Sequence, residues 1–531
     1  MSVDRWLSAA VRDVRARGLD GAVPVLEAFA RAMTELRAAD WTSEPVRSEP
    51  PLDRRQSPHP TVAIDDGREV PALTRRLLPG DAPYALDVLT ASARIREGSL
   101  TSVALAESCL ARIEELNGDL NAFITVTRED ALTAARDADR DLVHGRWRGP
   151  LHGIPISLKD LIDQQGVVTT AGSAARDRLP AAADAPVTAA VRRAGAVLVG
   201  KTNLHEYAFG TTSDESAFGP VRHPADRELS PGGSSGGSAV AVATGMSLAS
   251  IGTDTGGSIR IPSAACGLVG LKPGIGEISC DGVVPLSHTL DHVGPLARTV
   301  ADAAIVYRAL AGLPDAPPQP RSAAGLRIGV LREYFEDLLD AGVRSAIVNA
   351  QDRLRDAGAS LADVRLPHAE AIAAIYLGIV FGEAAAIHGT ALDARGDRYQ
   401  PGVRLRLEAA CFELAEDYLR ALRARDVTRA EVDQALASCD VLIAPTLPIA
   451  APPIGAQTVV IDGTPYPVRN VMLRLTQPFN LSGHPVVTLP CGLTPAGLPC
   501  GMQLIGRRGR TQALLDAALA CEPYVTRGLG G

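Results

Sequence analysis

Two glycine–serine turns carry the residues with the clearest chemical use. The first is GGSSGG at Gly232–Gly237, and the second is TDTGGSIR at Thr253–Arg260. The stretch between them, Ala239–Gly252, holds no acidic or basic residue. Glycine lets backbone approach backbone or ligand where a Cβ would block it. Two hydroxyl-bearing glycine turns joined by an apolar segment suggest a nucleophile site with backbone N–H donors aimed inward. Such a serine is a weak nucleophile until a base lies within hydrogen-bond reach.

Two other pattern matches point to different chemistry. GAVLVGKT at Gly195–Thr202 fits G-x-x-x-x-G-K-[ST]. A phosphate loop needs its middle residues in a loop after a strand, with N–H groups turned onto phosphate. Here the middle residues, AVLV, are themselves strand formers, which argues against nucleotide binding. GSSGG at Gly233–Gly237 fits the nucleophile elbow G-x-S-x-G with Ser235 at its apex. An elbow follows a strand directly and needs an acid and a histidine later in the chain. The preceding HPADRELSP is no strand, and nothing in the sequence places His288 or His292 beside the turn.

Strands and helices must position these turns. Apolar runs at 154–158, 196–199, 248–252, 326–331, 441–443 and 486–489 predict strands, with helical patterns between them. That alternation predicts an α/β sheet. Three helices are predicted before it: one opened by Thr90 and closed near Gly98, one opened by Thr101 and closed by Gly118, and one capped by Thr127 with Asp130 and closed by Gly145. After Arg298, further helices are predicted at 300–310, 343–356, 368–388 and 403–438. Residues 1–41 read as a helix pair, with Leu7, Val11 and Val14 on one stripe and Leu26, Phe29, Ala30, Met33 and Leu36 on the other. So short a pair must dock on the main body; a contact with a second copy of the chain is the other reading. Eight prolines between Pro45 and Pro83 predict an extended linker over 42–84.

Length and composition exclude several classes. At 531 residues the chain exceeds one ordinary core. Net charge is −8 and aromatics are 4%, so neither a basic surface nor a base-stacking platform for nucleic acid is present. The eight cysteines are scattered without C-x-x-C, which reads as reduced thiols in a cytoplasmic protein. The N-terminus lacks an apolar signal core, and the longest uncharged run is short for a membrane span.

From about Leu86 to Glu522 the chain resembles the amidase signature family. The resemblance rests on an ordered series: ARIREGSL, LNAFITV, GPLHGIPISLKD, GKTNLHEYAFG, SPGGSSGGSAVAVATG, GTDTGGSIRIPSAACGLVGLKP, DVLIAPTLP and HPVVTLPCG. Lys159 precedes Ser234 by 75 residues and Ser234 precedes Ser258 by 24, separations similar to those of the family's Lys–Ser–Ser triad. The resemblance implies an α/β/α sandwich on a central mixed twisted sheet. It implies Ser258 as nucleophile, Ser234 as bridging serine after a cis peptide, and Lys159 as base. Thr255, Gly256, Gly257 and Ser258 then supply oxyanion N–H groups. Lys159 ends the apolar run IPISL, a route to the burial that keeps its amine neutral. Asp254, Arg260 and Ser235 are expected to support the site from behind, as is Asp160. His205, His288 and His292 read as hydrogen-bonded structural groups, and Ser173 is a candidate for the pocket mouth.

The implied activity is hydrolysis of linear amides, extending to esters or carbamates, with no metal and no cofactor. The implied partner is a small-molecule amide, with neither nucleic acid nor membrane. The alternative is the A subunit of a glutamine-dependent tRNA amidotransferase-type complex. His223-Pro224 stands where many relatives have Asn-Pro. Residues 1–84 are an addition to a minimal member, and the helix pair looks like the small helical partner of some relatives, fused in cis. The expected organisation is thus a helical pair (1–41), a linker (42–84) and a catalytic domain (85–531).

Overall fold

A computed structural model describes residues 2–39, 41, 78, 82–316 and 322–526. The predicted linker over 42–84 lies outside the described residues, apart from Leu78 and residues 82–84. The strands are β1 (Phe123–Val126), β2 (Pro155–Lys159), β3 (Val197–Thr202), β4 (Ala249–Asp254), β5 (Val269–Lys272), β6 (His292–Ala297), β7 (Arg327–Leu331), β8 (Ser360–Val364), β9 (Val441–Pro445), β10 (Thr458–Ile461), β11 (Thr464–Pro467), β12 (Val486–Leu493) and β13 (Pro499–Ile505). Eleven of them form one sheet, ordered β1-β3-β2-β4-β6-β5-β12-β13-β9-β7-β8, and β10 and β11 form a separate hairpin. β2 runs parallel to β3 and β4, and β7 parallel to β8 and β9, whereas the other pairings are antiparallel. The sheet is therefore mixed, as the family resemblance implied.

All six predicted strands are present. Three of those not predicted, β5 (VGLK), β6 (HVGPLA) and β13 (PCGMQLI), contain Gly or Pro. Their Gly and Pro residues have low strand propensity, and pairing to central neighbours overrides it.

Helix ends depart from expectation in several places. The helix Val88–Glu97 opens on Asp87, whose carboxylate accepts from the Thr90 N–H, and not on Thr90. The helix Ser102–Leu120 runs through Gly118 and stops only at Asn121, which takes the left-handed conformation. Asn121 closes that end with its backbone N–H on the Asn117 carbonyl, and its side-chain amide, donating to the carbonyls of Phe218 and Pro220, fixes it there. Thr127 does precede the helix Arg128–Val143, but its hydroxyl donates to the Leu198 carbonyl at 3.0 Å and makes no cap. The neighbouring strand β3 thus took a group assigned to the helix end.

Helix Val23–Ala38 packs on the helices Ile372–Arg395, Pro401–Ala410 and Ala415–Ala435 of the same chain, and helix Val3–Ala16 packs on Val23–Ala38. Trp6, absent from the predicted stripe, anchors the first helix: it is buried, and its Nε1–H donates to the Phe412 carbonyl at 2.6 Å. Phe29 stacks on Phe381 with ring centres 5.2 Å apart. The Arg37 guanidinium forks onto the buried Asp417, at 2.7 and 2.6 Å. The helical stretch 369–398 is long and apolar enough to cross a membrane. Its Ile375, Ile379, Val380 and Phe381 are buried inside the protein, as in the core helix of a multilayer fold.

Candidate active site

The sheet brings the chemistry to one end of neighbouring strands. Lys159 closes β2, and Thr253 and Asp254 close β4, which runs parallel beside it. Parallel strands direct such groups to the same carboxyl edge, where open α/β sheets bind ligands. The second glycine turn follows β4 and leads into the helix Arg260–Cys266. The first turn leads into the helix Gly236–Ala243, with Ser235 at its N-cap position.

Lys159 is fully buried, and its Nζ donates to Ser234 Oγ at 2.7 Å and to Thr253 Oγ1 at 2.8 Å. Among the described residues it has no ion-pair partner within 4.0 Å. Burial pulls its pKa down to about 7, against the opposing pull of the Asp254 and Asp291 charges. A large neutral fraction at physiological pH follows. Thr253 was not anticipated; its position at the end of a strand beside β2 is the signal that could have found it.

Ser234 follows the cis peptide Gly233–Ser234. Its carbonyl accepts from the His205 N–H and from Ser213 Oγ, each at 3.2 Å. The next residue, Ser235, donates its N–H to the Ser258 carbonyl at 3.2 Å, which ties the two turns together. Ser235 Oγ donates to the Thr253 carbonyl at 3.2 Å. Its hydroxyl therefore holds β4 and is not an elbow nucleophile.

Around Ser258 the backbone is open for an acceptor. Among the described residues, the N–H groups of Thr255, Gly256, Gly257 and Ser258 have no hydrogen-bond partner. Gly257 has φ +147°, and a Cβ there would lie 2.3 Å from Thr476 Oγ1. Only glycine permits that close approach. Thr476 Oγ1 also donates to the Gly256 carbonyl at 2.6 Å, and Thr255 Oγ1 donates to Asp291 Oδ1 at 2.5 Å.

Behind the turn, Asp254 and Arg260 form a fully buried ion pair at 2.9 Å. Arg260 also donates to the Thr476 carbonyl, to Gln503 Oε1 and to Asn480 Oδ1. Asp254 accepts from the Ile259 N–H and from Asn480 Nδ2. Burial alone would raise the Asp254 pKa, but Arg260, Lys272 and Asn480 hold it well below the usual carboxylate range. The partners Thr476, Asn480 and Gln503 come from more than 200 residues away and carry no local motif.

The remaining candidates bring no side chain into hydrogen-bond contact with Lys159, Ser234 or Ser258 among the described residues. Asp160 pairs with the buried Lys201 at 2.8 Å, so the lysine of the phosphate-loop pattern is a strand residue neutralised in the core. Ser173 is buried, not at the mouth, and its Oγ accepts from the Ala175 N–H. His288 is exposed. His292 is buried on β6 with Nδ1 2.7 Å from the Leu290 carbonyl, and burial holds its pKa well below the usual value. The His205 ring lies 3.1 Å from Glu215. His223 accepts from the Ala225 N–H at Nδ1, so its Nε2–H donates to the Ala265 carbonyl at 3.0 Å. The His-Pro replacement thus braces the helix that follows Ser258.

A narrow cleft opens beside Thr253 and Thr255, walled by Leu161, Val283, Val284 and Val293 with Asp291 at its polar end.

The family described as Amidase matches residues 104–515, and the chain belongs to it. The chain is 40% identical over 460 residues to the A subunit of the glutamyl-tRNA(Gln) amidotransferase of Chloroflexus aurantiacus, covering 80% of this chain and 93% of that one. It is 38% identical over 448 residues to an amidase of Pseudomonas putida, covering 82% and 94%. Its fold is similar to that of the native peptide amidase from Stenotrophomonas maltophilia, with TM-score 0.72, 35% identity, and coverage of 84% and 98%. This chain is an enzyme of the amide-hydrolase class.

Proposed function

We propose that this chain hydrolyses carbon–nitrogen amide bonds through an acyl-enzyme on Ser258, with Ser234 relaying a proton to Lys159. The observation that carries this reading is the buried, charge-unpaired Lys159 amine 2.7 Å from Ser234 Oγ. A neutral amine accepts the proton that Ser234 passes from Ser258, since a hydroxyl both donates and accepts. Ser258 Oγ bonds to the amide carbon, and the carbonyl oxygen gains charge beside the free N–H groups at 255–258. Such donors contribute roughly 3 kcal/mol each to the transition state. The C–N bond then breaks, and the relay returns the proton to the departing amine. Water attacks the acyl-enzyme by the same relay in reverse, releasing the acid and restoring Ser258.

The protons in this scheme pass through Ser234 and Lys159 on their way between Ser258, the departing amine and water. Its setting is the cytoplasm, in keeping with eight unpaired cysteines. The second reading, the A subunit of an amidotransferase, is favoured by the 40% identity to a protein of that name. The first reading has the stronger support from the N-terminal helix pair, which already covers a broad helical face. Purified full-length protein alone, given simple primary amides and anilides, tests the two. Release of ammonia or amine at rates unaffected by a chelator is expected. Turnover only after a partner protein is added would transfer the case to the second reading.

A further inference from the structure

We infer that Arg469 and Tyr376 form a carboxylate-recognition subsite, so that the preferred amide carries a carboxylate on its acyl chain, a few bonds from the scissile carbonyl. This rests on the amide-hydrolase reading and deepens it. Arg469 and Leu473 stand four residues apart on the helix Val468–Arg474, hence on one face and about 6 Å apart along it. Leu473 faces the oxyanion turn: a Cβ on Gly256 would lie 3.0 Å from its Cδ2 and 2.5 Å from the Tyr376 hydroxyl. Arg469 is therefore one helical turn from the groups that would hold the reacting carbonyl.

Both polar groups lack hydrogen-bond and ion-pair partners among the described residues. Among the described residues, the part-buried Arg469 makes no hydrogen bond and no ion pair, and its Nε is enclosed. Tyr376 is 4% exposed, and its hydroxyl has no hydrogen-bond partner among the described residues. Arg469 lies over the Phe209 ring at 5.7 Å, and Arg406 lies over the same ring at 5.6 Å. Arg406 is neutralised by Glu215 at 2.8 Å; Arg469 is not. The nearby carboxylates are already engaged, Asp254 by Arg260 and Asp291 by Thr255 and the N–H groups of Leu286 and Ser287. Burial and the Arg406 charge lower the Arg469 pKa to about 10, which leaves it cationic at neutral pH. An unpaired guanidinium on the helix that flanks the Gly256 turn, within electrostatic reach of the unpaired Tyr376 hydroxyl at that turn, complements a carboxylate, with Arg donating a two-pronged pair.

The test compares succinamic acid with butyramide, a pair that differs at the distal carboxylate. With the wild-type protein, kcat/KM for succinamic acid is expected to exceed that for butyramide by about tenfold or more. Arg469→Met should remove that preference, chiefly through KM, while butyramide turnover stays within about threefold of wild type. Arg469→Lys should restore part of it. Succinate should inhibit the wild type more strongly than butyrate does. No wild-type preference, or equal loss for both amides in Arg469→Met, would overturn the subsite. Should the variants fail to fold, the wild-type ratio and the succinate inhibition decide alone. Failure of both amides and of every other amide would instead overturn the amide-hydrolase reading.

Discussion

At the scale of single residues, the chemistry turns on one amine being neutral. Lys159 has lost its water and gained only hydroxyl partners, so its pKa falls to about 7. The base is active above that value, so kcat/KM should rise with pH through about 7 and then level. A flat profile between pH 5.5 and 9 would contradict it. Lys159→Ala should lower kcat on the order of 10³-fold or more while far-UV circular dichroism stays unchanged. Arg260 answers to a different logic. Removing it leaves Asp254 charged, buried and short of its main counter-charge. Arg260→Ala should therefore cost about 3–5 kcal/mol in chemical denaturation. A loss under about 1 kcal/mol would mean that water reaches Asp254.

At the scale of elements, the glycine turns were legible because their chemistry depends on local residues. Gly257 at positive φ follows from the GGS turn itself. What holds the turns was not legible. Thr476, Asn480 and Gln503 carry no local motif, and only tertiary packing carries them to Arg260. Gly118 and Thr127 misled for a related reason. Each obeys a local rule that a distant contact overrides: the Asn121 amide on the 218–220 loop, and the Leu198 carbonyl. Thr476→Val tests the support directly. It should lower kcat about tenfold with little change in KM, because the lost hydrogen bond fixes the Gly256 carbonyl and through it the oxyanion N–H groups. An unchanged kcat would show that the turn is held without it.

At the scale of the molecule, strand periodicity and motif order were enough for the α/β class, the mixed sheet and the family. Short strands containing Gly or Pro, such as β5 and β6, were hidden because central pairing outweighs propensity. The helix pair was visible as two apolar stripes, but not the face it covers. Trp6 and Phe29 now define that face, against Phe412 and Phe381. The double variant Trp6→Ala/Phe29→Ala should release the pair, seen as fast amide exchange over 3–38 with slow exchange kept in β2 and β4. Uniform loss of protection would mean that the pair folds as one unit with the catalytic body.

The central claim is that Ser258 forms the acyl-enzyme. A fluorophosphonate probe bound to the intact protein, followed by peptide mass mapping, tests it most directly. One adduct per chain on Ser258, abolished in Ser258→Ala and slowed in Lys159→Ala, is the predicted result. An adduct on Ser235, or labelling that persists in Ser258→Ala, would contradict it.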